Sequence, residues 1–95
     1  MEIQFTGHNI DVTSALENIV KKKFAKIKHH CENITSAKMI FRVEKLNNIA
    51  EITIHIAGAE IHARAESENM YKAIDLMINK LHKQVMKHKE KKEHH

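Results

Sequence analysis

The sequence has no proline, no tryptophan and only two glycines, so it is poor in the residues that mark loop-rich and low-complexity folds. Its one cysteine, Cys31, cannot form an internal disulfide, which predicts a reducing, cytoplasmic compartment. No apolar run approaches the roughly 20 residues that span a bilayer. Residues 1–5 lack the charged and apolar regions of a signal peptide. Secreted and membrane-spanning proteins are therefore disfavoured.

The length of 95 residues leaves room for one hydrophobic core. Hydrophobic residues make up 42% and charged residues 29% of the chain, which is typical of a globular domain and not of a disordered one. The apolar pattern of the last segment thins after Val85. We therefore predict a single domain over residues 1–90, followed by a frayed basic tail over residues 91–95.

The positive charge of the chain is concentrated in two short blocks. Residues 21–28 contain five lysines and no acidic residue, and residues 80–95 contain six lysines and two glutamates. The formal net charge of the whole chain is only +4, so the remaining residues are acidic on balance. A single lysine-rich block is usually a solvated helix face. Two blocks brought together by folding would instead create a one-sided positive field that attracts polyanions.

The spacing of apolar residues predicts six elements in the order β-α-β-β-β-α. The predicted strands cover residues 1–6, 36–45, 50–56 and 60–66, and the predicted helices run from Thr13 or Ser14 to about His30 and from Asn69 to about residue 90. Both helices carry one apolar stripe, and each strand has one apolar face. The simplest arrangement is an α/β fold of the α+β kind: a two-layer sandwich with two helices on one face of a four-stranded sheet, the other face being solvated.

Turn signals predict how the later strands connect. Asn47-Asn48 marks a turn before the third strand. If Gly58-Ala59 forms the next two-residue loop, Ile54 lies opposite Ala63 and His55 lies opposite His62. The same register places Glu51 opposite Glu66, an unfavourable pair of like charges.

The sequence carries no pattern typical of an enzyme. It has no glycine-rich phosphate loop, no nucleophile elbow and no Cys-x-x-Cys. Nine histidines raise the alternative of a metal-binding or redox protein, but only the predicted His55–His62 pair has plausible ligand geometry, and a structural zinc site needs about four ligands. We therefore predict a protein that is not an enzyme, with no cofactor, no metal and no small-molecule substrate.

Binding to RNA fits the charge pattern better than catalysis does. A lysine stripe on a helix contacts phosphates without reading sequence. Aromatic residues are only 4% of the chain, and none is predicted on the solvated sheet face, which argues against recognition of bases by the sheet. The residues therefore predict helix-borne contacts with the phosphates of structured RNA. One hypothesis that this supports is a general structured-RNA-binding module.

Short motifs spread over nearly the whole chain carry a family resemblance. They are Ile3, Thr6-Gly7, Thr13, Ala15-Leu16, Lys23-Phe24-Ala25-Lys26, Val43-Glu44-Lys45, Gly58-Ala59-Glu60-Ile61-His62-Ala63, Asn69-Met70-Tyr71-Lys72-Ala73-Ile74-Asp75, Ile78-Asn79-Lys80-Leu81, Lys83-Gln84-Val85 and Lys87-His88-Lys89. In this combination the sequence resembles the ribosome hibernation promoting factor family, in its short form.

This resemblance implies a fold related to double-stranded RNA-binding domains. It also implies binding to the small ribosomal subunit and its rRNA in the mRNA and tRNA channel, so that translation is blocked. Action under stress or in stationary phase, together with ribosome modulation factor, would produce inactive ribosome dimers. The protein itself is expected to be cytoplasmic and monomeric off the ribosome.

The resemblance also assigns the rRNA contacts to basic residues of the two helices. By position these are Lys22, Lys23, Lys26, Lys80, Lys83, Lys87, Lys89 and Lys91. Tyr71 matches a characteristic position of the family, where its simplest role is packing at the start of the helix.

Overall fold

Six elements follow one another in the predicted order, β-α-β-β-β-α. The computed structural model describes residues 2–93, and their side chains as far as Lys89. The elements are β1 (Ile3–His8), α1 (Ser14–His30), β2 (Ile34–Glu44), β3 (Asn47–Ile56), β4 (Ala59–Ser67) and α2 (Met70–Glu93). Met1, His94 and His95 lie outside the described residues.

The four strands form one mixed sheet in the order β1-β2-β3-β4. β1 pairs with β2 in parallel, and α1 is the crossover that this pairing requires. The other two pairings are antiparallel hairpins. One face of β2, β3 and β4 and one stripe of each helix contribute to a single buried cluster, and the partly buried Ile3 and Phe5 of β1 pack against it. The prediction of an α+β sandwich, with both helices on one face of a four-stranded sheet, is confirmed.

The core lies between the sheet and the helices and is built from the predicted alternation. Met39, Ile52 and Ile54 of the two central strands are fully buried, as are Val20 of α1 and Leu81 of α2. Alternation in the strands and the helical spacing in α1 and α2 bring these side chains to the same layer.

No helix within residues 2–93 is long and apolar enough to cross a bilayer.

Side-chain caps fix where the helices begin. Of the two predicted starts of α1, Thr13 is the cap, since its Oγ1 accepts a hydrogen bond from the Leu16 amide at 3.2 Å. Asn69 Oδ1 accepts from the amides of Tyr71 at 2.8 Å and Lys72 at 3.4 Å. α2 continues to Glu93, three residues past its predicted end, and the fraying of residues 91–95 stays a prediction.

Two strand boundaries differ from the prediction for local reasons. β1 continues through Gly7, where a Cβ atom would lie only 2.4 Å from the Ile10 carbonyl oxygen, so a residue without Cβ is needed. The turn predicted at Asn47-Asn48 forms instead at Lys45-Leu46, because Glu44 pairs with Asn47. Lys45 adopts a φ of 56°, the left-handed region that most side chains avoid.

The predicted register of the last hairpin is wrong by two residues. Ile56 pairs with Ala59, so the loop is Ala57-Gly58, and Gly58 has the φ of 80° that the second position of a type II turn requires. A shift of two keeps every side chain on its predicted face, so the apolar pattern could not reveal the error. The new pairs are better matched in charge. Glu51 lies opposite Arg64, in place of the repulsive partner that the prediction gave it.

The outer face of the sheet is charge-balanced. Glu51 lies 3.5 Å from the guanidinium nitrogens of both Arg42 and Arg64, so one carboxylate links three strands. Ile49 also points to this face, yet it is only 1% exposed and lies between Arg42 and Glu66. The long charged side chains of this face therefore shield an apolar residue that the sequence pattern did not assign to any core.

Candidate nucleic-acid interface

The two lysine blocks lie on neighbouring helices in one layer. Lys23 of α1 forms an ion pair with Asp75 of α2, and both side chains remain partly exposed. This pair joins the two helices across the groove that separates their outer surfaces. One of the eight predicted RNA contacts is therefore already engaged with an acidic group.

The lysines of α1 line this groove. Lys22 and Lys26 are exposed, and they share the groove with Tyr71 and Asp75 of α2. The helical spacing explains this, because positions 19, 22, 23 and 26 lie on one flank of a helix whose buried stripe is Leu16, Val20, Phe24 and Ile27. Lys22, Lys23 and Lys26 thus form the group that we call the α1 strip.

The lysines of α2 divide between two flanks of the helix. Lys80, Lys83 and Lys87 are exposed and, by their helical spacing, share the flank on which Lys80 reaches β4; we call them the α2 strip. Lys80 Nζ donates a hydrogen bond to the Arg64 carbonyl oxygen at 2.9 Å, which fixes that flank against the β4 edge. Lys89 lies on the other flank and lines a pocket with His29 and His30 at the end of α1. The side chain of Lys91 lies outside the described part of the chain.

The predicted lysines therefore share the helical layer but do not form one cluster. The α1 strip lies at the interhelical groove, and the α2 strip lies on the far side of α2. Asp75 is between them and neutralises Lys23. An extended polyanion, such as an RNA backbone that crosses both helices, matches this separation better than a single phosphate does.

Tyr71 is a functional candidate whose surroundings differ from the prediction. Packing at the start of the helix was predicted for it, but its side chain is 50% exposed in the groove. The helical spacing held the signal, because Tyr71 falls outside the buried stripe that begins with Met70, Ala73 and Ile74.

The histidine pair predicted from the hairpin does not form. His55 Nε2 lies 2.7 Å from a carboxylate oxygen of Glu60, and its Nδ1 lies 3.1 Å from the Ser36 hydroxyl. His62 Nδ1 is 2.9 Å from the Thr53 hydroxyl instead. Within residues 2–93 as described, no group of three or more side chains has the geometry to hold a metal ion. Cys31 is a free, half-buried thiol.

The chain is similar to proteins whose names refer to the ribosome. It is 47% identical over 91 residues to a ribosome hibernation promoting factor from Azotobacter vinelandii, an alignment that covers 96% of this chain and 85% of the relative. It is 43% identical to the ribosome hibernation promoting factor of Salmonella typhimurium strain LT2, with both chains covered completely.

Solved structures agree with this similarity. A ribosomal subunit interface protein from Coxiella burnetii superposes with a TM-score of 0.88 at 37% identity, covering 94% of this chain and 98% of the other. The N-terminal domain of Protein Y from Thermus thermophilus gives 0.83 at 28% identity, covering 90% and 96%. The family model described as Sigma 54 modulation protein / S30EA ribosomal protein matches residues 3–93. With its relatives named ribosome hibernation promoting factor, the chain therefore belongs to this family.

Proposed function

We propose that this protein is a ribosome hibernation factor that binds the small ribosomal subunit and its rRNA through the helical layer. The observation that carries the proposal is the contrast between the two faces of the sandwich. The helical layer presents the α1 strip and the α2 strip, whereas Arg42 and Arg64 on the outer face of the sheet are paired with Glu51. A polyanion is therefore attracted to the helices and not to the sheet.

The names of the relatives support the ribosome as the source of that RNA. Two relatives that are similar over almost their whole length are named ribosome hibernation promoting factor, and a similar solved structure is of a ribosomal subunit interface protein. We further propose, as the family resemblance implies, that the site is the mRNA and tRNA channel of the small subunit. There the rigid sandwich would occupy the space that mRNA and tRNA need, and translation would stop.

The mechanism requires binding and exclusion, without catalysis, a cofactor or a small-molecule substrate. The lysines neutralise phosphates and release counterions, which supplies affinity independent of base sequence. We assign the contacts to Lys22, Lys23, Lys26, Lys80, Lys83, Lys87, Lys89 and Lys91. Residues 1–90 would act as one binding unit, monomeric off the ribosome and cytoplasmic because the ribosome is there.

The physiological outcome that we propose is the storage of inactive ribosomes under stress or in stationary phase. Ribosome modulation factor would act on the same ribosomes, and inactive dimers would form. A sucrose-gradient profile of ribosomes, with and without the protein and the modulation factor, tests this. A dimer peak that depends on both proteins supports the proposal, and unchanged profiles contradict it.

Charge reversal on the α2 strip tests the binding surface. We expect Lys83→Glu combined with Lys87→Glu to weaken co-sedimentation with small subunits by roughly tenfold or more, because two phosphate contacts become repulsive. The matched control is Lys38→Glu combined with Lys45→Glu, which makes the same change in net charge at exposed positions away from the helical layer. Circular dichroism checks that both variants fold. Equal losses from the two variants would contradict a surface-specific contact.

The alternative function, a general structured-RNA-binding module, is favoured by the same lysine strips. It predicts that an RNA duplex of about 16 base pairs, the span of a double-stranded RNA-binding domain, binds as tightly as the small subunit. The proposed function predicts clearly tighter binding to the small subunit. In both cases log affinity should fall linearly with log salt, by about 0.7–0.9 per phosphate neutralised, so the comparison is made at one salt concentration.

A further inference from the structure

Tyr71 differs from the three phenylalanines of the chain in the exposure of its ring. The chain has one tyrosine, three phenylalanines and no tryptophan. Phe24 and Phe41 are fully buried, and Phe5 is partly buried and stacks on Phe41. Tyr71 alone is half exposed, at 50%. Within the described side chains, no ring–ring or cation–π contact involves it.

The backbone beneath this ring is held firmly. Tyr71 lies in the first turn of α2, and its amide donates a 2.8 Å hydrogen bond to Asn69 Oδ1. The preceding residue, Met70, is anchored in the core at 6% exposure. A tyrosine side chain has only two rotatable bonds to the ring, so little entropy is lost when a partner packs on it. An exposed ring on a fixed helix turn is a preorganised contact surface.

The charges around the ring select the partner. Tyr71 shares the interhelical groove with Lys22, Lys23 and Lys26, while Asp75 is paired with Lys23. Lys22 and Lys26 are exposed and free of salt bridges within the described side chains. An aromatic ring that shares a groove with unpaired ammonium groups is the combination that holds single-stranded nucleic acid, with the base on the ring and the phosphates on the cations.

We propose that Tyr71 is a stacking platform for an unpaired RNA base, and that Lys22 and Lys26 hold the phosphates on either side of that nucleotide. The inference rests on the proposed function and adds to it the class of RNA element that is bound. The groove would take a bulged or looped-out nucleotide, because a base inside a duplex has no free face to offer. The α2 strip would contact the neighbouring backbone.

Two substitutions distinguish the contribution of the aromatic ring to binding from that of its hydroxyl group. Base stacking on an aromatic side chain is worth about 5- to 150-fold in affinity. We therefore expect Tyr71→Leu to weaken co-sedimentation with small subunits within that range, and Tyr71→Phe to bind like the wild type. Thermal unfolding checks that both variants are folded, as expected for a half-exposed residue. Equal losses in both variants, or wild-type binding by Tyr71→Leu, would overturn the stacking role.

The fluorescence of the protein provides a direct readout. Because Tyr71 is the only tyrosine and tryptophan is absent, intrinsic emission excited in the tyrosine band comes from this residue. We expect a single-stranded nonauridine RNA to quench the tyrosine emission at saturation. A blunt 16-base-pair duplex should leave most of the emission unquenched. Lys22→Ala combined with Lys26→Ala should raise the RNA concentration needed for quenching. Emission unchanged by saturating single-stranded RNA would overturn the inference.

Different results of these experiments would contradict the proposed function and the stacking inference. If wild-type protein does not sediment with small subunits, the proposed function fails, and quenching by single-stranded RNA still decides whether Tyr71 stacks on a base. If wild-type protein sediments and Tyr71→Leu sediments equally well, the proposed function stands and the stacking inference is wrong.

Discussion

Lys80 of α2 donates a hydrogen bond from its ammonium group to the main-chain carbonyl oxygen of Arg64 in β4, at 2.9 Å. Gln84, one helical turn later, donates from Nε2 to the His62 carbonyl oxygen at 2.7 Å. β4 is an edge strand, so these alternate carbonyls point away from the sheet and would otherwise be open to pairing with another chain. Two side chains of α2 therefore cover part of the outer edge of β4.

Removing both side chains should uncover this edge. We expect Lys80→Ala combined with Gln84→Ala to lower the free energy of unfolding by about 1–3 kcal/mol, since each hydrogen bond contributes roughly 0.5–1.5 kcal/mol. The variant should also self-associate at high protein concentration, which analytical ultracentrifugation detects. Lys83→Ala is the control, because this exposed lysine makes no such contact. A monomeric variant with wild-type stability would contradict the edge-closing role.

The same contact ranks the lysines of the α2 strip as RNA ligands. The Lys80 ammonium group must leave the Arg64 carbonyl before it can turn fully to a phosphate, whereas Lys87 has no described partner to give up. We expect Lys87→Ala to reduce the affinity for small subunits more than Lys80→Ala does. The two losses should differ by about threefold or more. Titrations at one salt concentration measure both. A larger loss from Lys80→Ala would reverse this ranking.

The observed register of the last hairpin can be tested through its charges. Glu51 lies opposite Arg64, with its carboxylate oxygen 3.5 Å from Arg64 Nε. A double-mutant cycle with Glu51→Ala and Arg64→Ala should give a favourable coupling of about 0.2–1 kcal/mol, since opposite charges face each other across the strands. Urea denaturation of the four proteins provides the values. A coupling of zero or of unfavourable sign would contradict this pairing.

The two glycines should respond differently to alanine. At Gly58 a Cβ would meet no atom within 4 Å, so the cost comes only from the φ of 80° and should be about 1 kcal/mol. At Gly7 a Cβ would lie 2.4 Å from the Ile10 carbonyl oxygen, and the backbone must move. We expect Gly7→Ala to cost more, about 1–3 kcal/mol, by urea denaturation.

Asparagine at position 58 serves as the control for that comparison. Asparagine tolerates positive φ better than alanine does, so Gly58→Asn should lose less stability than Gly58→Ala. An equal cost for Gly7→Ala and Gly58→Ala would show that the close approach at Gly7 is relieved without strain.

Most of the fold was predictable because period-2 and helical patterns are local. The alternation of Ile52, Ile54 and Ile56 defined β3, and the spacing of Met70, Ala73, Ile74 and Met77 defined the buried stripe of α2. The hairpin register was not predictable in this way. A shift of two residues leaves each side chain on the same face, so burial cannot distinguish the two registers. The loop at Ala57-Gly58 and the charge pairs across β3 and β4 fix the alignment instead.

The sequence by itself determined the order of the elements, the apolar stripes and the division of the positive charge into two blocks. These properties depend on spacing along the chain, which the folded state cannot alter. Only the tertiary structure decided the partners of the lysines. Lys23 pairs with Asp75, Lys80 donates a hydrogen bond to the β4 edge, and Lys22 and Lys26 line a groove with Tyr71. Partners far apart in sequence meet only after the helices pack on the sheet, so their contacts leave no local pattern to recognise.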